Sequence, residues 1–368
     1  MSKLKEILGS VDKKLWIYLG IILAIVLIGI IVSVITYNIN NSNLSYTDIE
    51  KKLESAARKY YADNSNLLPK KDGGEVTIRD GKLSDEGYMK PMEKMIKDAS
   101  CNGKVVVTLN NKKYKYTPYL DCGKEYQTKE MYKRIKEEKI VEEGSGLYQN
   151  DTEYVYRGEE VNNYLKFDNK IFRILKVNED NSIKLILDDS YTELEYTWDN
   201  RYNEEANYGY GYNVYEKSRL KEEFDSVYKK DEFLTETGKE DLVPMNLCIG
   251  ARGENESKTE KEIECSKTLD NQYIGTITAY EYMRASLDEK CTSALSKSCK
   301  NYNYLVSDFS YWTLTADSVS SYNAYYVYGS LNETETSDRS SIRPVITISS
   351  DVMYKSGNGS VEHPFVVR

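Results

Sequence analysis

Apolar positions follow different spacings along the chain, and each spacing predicts a different kind of element. The first is an uncharged run over residues 15–37. At a rise of about 1.5 Å per residue, a helix of this length crosses a hydrocarbon core about 30 Å thick. The run exceeds the apolar stretch of a cleaved signal peptide, and no small-residue cleavage site follows it. We therefore expect residues 15–37 to form an uncleaved signal anchor in the lipid bilayer.

The charges on either side orient this anchor. Lysines precede it at positions 3, 5, 13 and 14, whereas the first charged residues beyond it are Asp48 and Glu50. Because positive residues stay on the cytoplasmic side, we expect residues 1–14 in the cytoplasm and the remainder outside the cell. Gly20 and Ala24 have the small-xxx-small spacing that brings transmembrane helices together, which leaves a homo-oligomer through the membrane helix open.

Beyond the anchor, apolar residues recur every three or four positions, which predicts an amphipathic helix. Thr47 and Glu50 form a capping-box pattern at the start of this segment. The apolar positions of the predicted helix are Ile49, Leu53, Ala56, Ala57 and Tyr60.

Strand-like runs at 105–109 and 114–116 flank two asparagines and two lysines, which predicts a β-hairpin. Cys101 and Cys122 are equidistant from the centre of this hairpin. Residues directly opposite each other in an antiparallel pair lie about 4.5–5.5 Å apart, which suits a disulfide. We therefore predict a Cys101–Cys122 disulfide at the end of a small antiparallel sheet.

The order of membrane helix, amphipathic helix and disulfide-closed sheet resembles type IV pilins and pseudopilins. The resemblance is carried by YTDIEKKLESAARKYYADNSNLLP and by DCGKEYQT, and it covers about residues 15–130. It implies a pilin-like stalk module at 45–128. Prepilin helices carry a glutamate early in the apolar run, and none occurs here within residues 15–37. Assembly into a true filament is therefore not expected.

A highly charged segment at 129–146 predicts a solvated linker, and a strand-rich module follows at 147–368. Strand-like runs separated by turn formers open this module. Asn213 is positioned to cap a helix, and Thr278 with Glu281 forms a capping box for another. Further strand-like runs close the chain. Strands, then helices, then strands predict an α+β fold.

Three aromatic and apolar segments stand out late in this module: Tyr311-Trp312-Thr313-Leu314, Tyr325-Tyr326-Val327 and Ile342-Arg343-Pro344-Val345. They resemble the closing section of C-type lectin-like folds of the formylglycine-generating-enzyme type. The opening YVYRGEEVNNYLKFDNKIFRILKV is similar to an uncharacterised surface domain of Firmicutes, which are Gram-positive bacteria. The calcium tripeptides of sugar-binding lectins and the catalytic cysteine motif of the formylglycine-generating relatives do not occur here. The resemblance therefore implies a head that binds a ligand without calcium.

Composition limits the partners of the exported part. The 368 residues carry a formal net charge of −9, and the part beyond the basic tail is more acidic still, which argues against nucleic acid as a partner. All 6 cysteines lie beyond the anchor, which predicts disulfides rather than a metal site. Proximity favours pairing Cys248 with Cys265 and Cys291 with Cys299, although six cysteines allow 15 connectivities.

Catalytic chemistry has little support in the sequence. The only histidine, His363, is isolated, which argues against a histidine-dependent triad. A two-carboxylate glycosidase site would need a cluster such as Asp188, Asp189, Glu193 and Glu195, but a solvated acidic loop explains these residues better. No glycine motif for phosphate or dinucleotide binding occurs. We expect no enzymatic activity, no metal and no cofactor.

Aromatic residues crowd two stretches of the second module. Tyrosine combines a large rigid surface with a polar tip, and binding loops favour it. The chain contains 34 tyrosines, and we predict that those in the loops 191–212 and 317–322 carry the ligand contacts. The candidate ligand-binding residues are Tyr191, Tyr196, Trp198, Tyr202, Tyr208, Tyr210, Tyr212 and Tyr322.

Together these patterns predict a single-pass, outward-facing protein of the bacterial envelope, with a pilin-like stalk and a lectin-like head. The leading expectation is adhesion to, or recognition of, an extracellular glycan or protein ligand. One alternative is a structural or accessory subunit of a secretion or pilus apparatus. A less favoured alternative is a carboxylate-based hydrolase of cell-wall glycans.

Overall fold

The computed structural model divides the chain into two compact units, Met1–Thr128 and Lys129–Arg368. Both units combine helices with β-sheets, so the predicted α+β class is confirmed. The residues that the structure describes are 18, 21–29, 44–96, 100–110, 112–205, 211–257, 259–260 and 262–368.

The predicted anchor at 15–37 is described only in part. Tyr18 and residues 21–29 are helical and exposed, while the rest of the run and the tail 1–14 lie outside the described residues. Among the residues described, no helix combines the length and the apolar character needed to cross a bilayer. The anchor therefore stays a prediction.

The first unit packs one long helix against a three-stranded antiparallel sheet. Its elements are α1 (Tyr46–Asp63), β1 (Glu75–Arg79), α2 (Asp80–Asp85), β2 (Asn102–Asn110) and β3 (Lys113–Asp121). The sheet order is β1-β2-β3. The face of α1 that is buried against the sheet contains all five apolar positions predicted from their spacing: Ile49, Leu53, Ala56, Ala57 and Tyr60. Burying this stripe is what ties the helix to the sheet.

The N-cap of α1 is Ser45 rather than the predicted Thr47. The Ser45 hydroxyl accepts a hydrogen bond from the Asp48 amide over 3.1 Å. Glu50 does not take part in capping, because its carboxylate is buried and accepts hydrogen bonds from the hydroxyls of Tyr126 and Thr128. The capping box expected at Thr47 is therefore wrong, and the helix begins earlier.

Strands β2 and β3 form the predicted hairpin in the predicted register. They pair without a shift from Asn102 opposite Asp121 up to the turn. Just beyond this pair, Cys101 and Cys122 are joined in a disulfide with a Cα–Cα distance of 4.1 Å. The pairing predicted from the symmetry of the hairpin is confirmed.

The second unit is built on one large sheet and three small ones. Its strands are β4 (Gly146–Asn150), β5 (Glu153–Arg157), β6 (Tyr164–Phe167), β7 (Lys170–Val177), β8 (Ile183–Leu187), β9 (Tyr196–Thr197), β10 (Met245–Cys248), β11 (Thr268–Gln272), β12 (Tyr311–Ala316), β13 (Asn323–Tyr328), β14 (Ser330–Glu335), β15 (Arg339–Ser340), β16 (Val345–Ile348), β17 (Tyr354–Ser356) and β18 (Phe365–Val367). The large sheet has the order β16-β8-β7-β6-β18-β17, and the β4-β5 hairpin joins it where β5 pairs with β7. All its neighbours are antiparallel except β6 and β18, which are parallel.

Short helices flank these sheets: α3 (Met131–Lys136), α4 (Arg219–Lys229), α5 (Glu236–Glu240), α6 (Glu262–Cys265) and α7 (Ala279–Ala285). The capping box predicted for α7 is confirmed, with Thr278 and Glu281 exchanging hydrogen bonds. Helix α4 is capped by Ser218, whose hydroxyl accepts from the Lys221 amide over 3.0 Å. Asn213 therefore does not cap this helix, and it has a different role.

The segment 129–146 belongs to the second unit and is not a solvated linker. Met131 and Ile135 are fully buried in the core of that unit. The Met131 amide donates to the carbonyl oxygen of Val352 over 2.8 Å. Within a run of charges these two apolar residues stand four positions apart, so they share one face of α3 and bury it.

Candidate functional site

The described residues of the two loops predicted to carry ligand contacts, 191–212 and 317–322, lie together in the second unit, and Asn213 joins them. Its backbone N–H donates to the carbonyl oxygen of Ser321 over 3.0 Å. Its side-chain Nδ2 lies 2.6–3.0 Å from the carbonyl oxygens of Asp317, Ser320 and Asn323. Because every partner is a backbone carbonyl, this one side chain fixes the path of the chain. We call residues 199–205, 211–213 and 317–323 the loop pair.

The first half of the loop pair is closed around the buried carboxylate of Asp199. Oδ1 accepts from Arg201 Nε over 2.8 Å, and Oδ2 accepts from the Tyr212 amide over 2.9 Å. Asn203 Nδ2 donates to the carbonyl oxygen of Gly211 over 2.6 Å. Gly211 has a φ of +77°, and a Cβ there would lie 2.2 Å from the Asp199 carbonyl oxygen. Only glycine allows so close a return of the chain.

Each half of the loop pair carries an apolar side chain into solvent. Tyr202 is 68% exposed, and Val319 is 87% exposed. The backbone beneath them is fixed by Asp199 and Asn213, so little further ordering is needed when a ligand contacts them. An exposed aromatic group on a rigid loop is typical of binding surfaces.

Three of the candidate ligand-binding residues support the core instead. Trp198 is fully buried, and its Nε1 donates to the carbonyl oxygen of Thr313 over 3.0 Å, which removes it from any surface contact. Tyr191 is half-buried against Phe233, with ring centroids 5.7 Å apart. Tyr196 is half-buried in strand β9. Large aromatic residues at the base of the loops bury more surface than smaller ones would, which accounts for their abundance here.

The other candidate tyrosines fall into two groups. Tyr212 and Tyr322 are half-buried within the loop pair, where the Tyr212 hydroxyl accepts from the Glu204 amide over 3.1 Å. Tyr208 and Tyr210 lie outside the described residues. Among the tyrosines described in this stretch, Tyr202 is therefore the one most available to a ligand.

A second polar feature lies where β5, β7, β8 and α7 meet, and the sequence did not predict it. Lys176 Nζ lies 2.5 Å from Glu153 Oε1, and Arg284 Nη1 lies 3.2 Å from Glu153 Oε2. Lys184 forms a close ion pair with Glu281. The side chains of all five residues are largely buried. We call this group the charged cleft.

Both carboxylates of the charged cleft are ionised at neutral pH. Burial acts to raise the pKa of Glu153, but Lys176 and Arg284 together outweigh it and lower the pKa to about 2. Burial likewise opposes ionisation of Glu281, and Lys184 with Lys176 lowers its pKa. The three cations therefore face two anions, and the group keeps an excess positive charge.

Two cavities adjoin these charges. The inner one has a volume of about 100 Å³, and its wall includes Lys176, Lys184, Glu281 and Arg284. The outer one has a volume of about 530 Å³, and its wall includes the acidic residues Glu153, Glu179 and Asp180 as well as Asn178, Ser182 and Asn246. Lys176, Lys184 and Asn246 belong to the walls of both cavities.

The sequence did not predict the charged cleft, because its five residues lie in distant segments of the chain. Glu153, Lys176 and Lys184 look like ordinary charges on half-exposed strands. The one local signal was Lys184 within the apolar strand β8, where a charge needs a partner. Among the described residues, no three side chains of His, Cys, Asp or Glu are grouped so as to hold a metal ion.

The three disulfides are Cys101–Cys122, Cys248–Cys265 and Cys291–Cys299, the pairs that proximity favours. They are consistent with an extracellular location. No protein-family model, no curated protein and no solved structure matches the chain. The loop pair and the charged cleft are therefore the features from which its function can be inferred.

Proposed function

We propose that this chain is a membrane-anchored recognition protein of a bacterial cell surface, which binds an extracellular glycan or protein through the loop pair. The observation that carries the proposal is the join at Asn213. It brings together the two loops that expose Tyr202 and Val319, and it holds their backbones in place.

A preformed surface favours binding for an energetic reason. Ordering a mobile loop on association costs free energy, at about 0.5–1.5 kcal/mol for each immobilised long side chain. In the loop pair, buried Asp199 and half-buried Asn213 already make the contacts that define the loops. Contact with a ligand can then stabilise the complex through the tyrosine ring with little opposing entropy.

The proposed protein is anchored in the membrane and has two modules outside the cell. Residues 15–37 anchor the chain with 1–14 in the cytoplasm, the first unit is a pilin-like stalk, and the second is a lectin-like head. Three disulfides suit an oxidising exterior. The net charge of −9 disfavours nucleic acid as a ligand.

The test is binding of the full chain, in detergent micelles, to a glycan array and to intact bacterial and host cells. The double variant Y202A/V319S removes the exposed side chains and leaves Asp199 and Asn213 in place. We expect at least about a tenfold loss of affinity for whichever ligand the wild type binds. The matched control is Y328A, because Tyr328 is 59% exposed at the other end of β13. Equal affinity of the double variant and the wild type would refute the proposal.

A second candidate is an accessory subunit of a secretion or pilus apparatus. It is favoured by the first unit, where α1 packs on a three-stranded sheet that is closed by the Cys101–Cys122 disulfide. Recovery of the full chain in a complex with a secretion ATPase or other envelope subunits would support this role. If the glycan array shows no ligand for the wild type, the role of an accessory subunit is favoured.

A further inference from the structure

We propose that the charged cleft of the second unit is a separate ligand site, which binds the carboxylate or phosphate group of a small polar molecule. The site does not include the loop pair, and it stands on its own contacts.

Among the described residues, the two lysines of the charged cleft leave some of their hydrogen-bond donors unused. An ammonium group has three N–H donors. Within the part of the chain that the structure describes, Lys176 Nζ donates only to Glu153, and Lys184 Nζ donates only to Glu281. Each ammonium therefore keeps donors available at the wall of the inner cavity. An anion placed there would receive charge-assisted hydrogen bonds from two lysines at once.

The ion pairs around the inner cavity leave one positive charge unmatched. Around the inner cavity Lys176, Lys184 and Arg284 outnumber Glu153 and Glu281, whereas the wall of the outer cavity also contains Glu179 and Asp180. Burying a cation without its own counter-ion lowers stability, because the charge loses its hydration. An anion bound in the cavity would supply the missing counter-ion through charge-assisted hydrogen bonds.

Glu264 also lines the inner cavity, but it does not cancel this excess. Its carboxylate is paired with Arg252 through two hydrogen bonds of 2.6 and 2.8 Å, so its charge is already matched. When Arg252, Arg284, Lys176 and Lys184 are set against Glu153, Glu264 and Glu281, the groups around the inner cavity carry one net positive charge, which suits an anionic group.

The two cavities are large enough for such a ligand. A water molecule takes up about 30 Å³ in the liquid. The inner cavity of about 100 Å³ accordingly has room for one carboxylate or phosphate group. The outer cavity of about 530 Å³ falls within the range of small-molecule sites and is lined mainly by polar side chains. A sugar-sized or glycerol-sized polar body fits this second space.

The wall of the inner cavity is held rigidly. Cys248 and Cys265 both line it and are bonded to each other. Glu281 accepts from the Thr278 amide over 3.1 Å in the capping box, so its carboxylate is fixed from the helix as well as by Lys184. A preformed wall reduces the cost of ordering the site when an anion binds.

Isothermal titration calorimetry on the full chain in detergent micelles tests the site with four probes. Glucuronate carries a carboxylate and glycerol 1-phosphate carries a phosphate, while glucose and glycerol are their neutral counterparts. We expect at least one anion to bind with a Kd below about 10 mM, more weakly at higher salt, and neither neutral probe to bind. Binding of one anion alone supports the site and identifies the group that it takes.

Four variants keep the test specific. K184Q removes one cation and is expected to weaken anion binding at least about tenfold. N246F narrows the wall shared by the two cavities, disturbs none of the ion pairs, and is expected to have the same effect. The matched control is K221Q, because Lys221 is equally buried and also ion-paired, but it lies on α4. Tyr202→Ala is expected to leave anion binding unchanged.

Two outcomes would overturn the inference. One is the failure of both anions to bind wild-type protein that is shown to be folded by its circular dichroism. The other is anion binding that survives N246F and K184Q, since the anion would then sit elsewhere. Neither outcome bears on the loop pair, whose own test uses different variants and ligands.

Discussion

Arg252 and Glu264 form a two-point ion pair in the interior of the second unit, with Nε donating to Oε1 over 2.8 Å and Nη2 donating to Oε2 over 2.6 Å. Their exposed fractions are 0% and 1%. The other guanidinium N–H groups donate to the carbonyl oxygens of Ser257 and Glu260. One arginine thereby connects Ser257, Glu260 and Glu264 within the segment that the Cys248–Cys265 disulfide closes.

We expect Glu264→Gln to destabilise the second unit by about 3–5 kcal/mol, because it leaves the charge of Arg252 buried without a partner. Urea unfolding of the full chain, followed by tryptophan fluorescence, measures the change. Glu222→Gln is the matched control, since its pair with Arg219 is exposed and is expected to contribute much less to stability. Equal effects of the two substitutions would contradict the prediction.

The Cys248–Cys265 disulfide closes the same loop, across a sequence separation of 17 residues. Replacing both cysteines by serine is expected to cost about 3 kcal/mol in the chain-entropy model. Hydrogen exchange should rise in β10 and β11 but stay slow in β7 and β8. Replacing the Cys291–Cys299 pair, with a separation of 8, is the comparison and should leave β10 and β11 protected. Unchanged exchange in β10 and β11 after loss of Cys248–Cys265 would show that the ion pair alone holds this loop.

Asn213→Ala removes the join between the halves of the loop pair. Several backbone carbonyls lose their donor, so we expect a loss of about 1–3 kcal/mol and faster amide exchange at 317–323. Asn255→Ala is the control, because Asn255 is exposed and its side chain contacts only Glu254 among the residues described. If exchange at 317–323 did not change, the loops would be held by other contacts.

Acid should weaken the second unit partly through Glu153. The pKa of this group is about 2 in the folded protein, against an ordinary value of 4.5. A lowered folded pKa means that the stabilisation is complete above pH 4.5 and is lost as the pH falls toward 2. We expect the free energy of unfolding to decline across this window, and to decline less steeply in Glu153→Gln.

The measurement is urea unfolding at a series of pH values between about 2 and 6. Asp231→Asn is the comparison. The pKa of Asp231 is lowered by its contacts with Lys239. Because Asp231 is exposed, salt should weaken these contacts. Parallel pH curves for the wild type and Glu153→Gln would show that Glu153 is not held in its charged form by Lys176 and Arg284.

Local patterns predicted the parts of the fold that depend on near neighbours. The apolar stripe of α1, the register of the first hairpin, its disulfide and the capping box at Thr278 each involve residues a few positions apart or placed symmetrically about a turn. Such features follow from the spacing of residues along the backbone, which the sequence contains directly.

Features that depend on distant partners were missed or misplaced. Asn213 has the sequence context of a helix cap, but its side chain donates to carbonyls more than a hundred positions away. The sequence around Trp198 is typical of a binding loop, but its indole N–H is buried and donates to the carbonyl oxygen of Thr313. The five members of the charged cleft meet only after the sheet and α7 have packed.

The parallel pairing of β18 with β6 sets the order in which the second unit can be completed. Phe365 lies opposite Leu165, and β18 in turn carries β17 on its other side. During synthesis β6 leaves the ribosome about two hundred residues before its partner, and its edge stays open for all of that time. The large sheet of this unit can therefore be completed only after residues 365–367 have been synthesised, and a chaperone that covers one open strand edge would protect the chain until then.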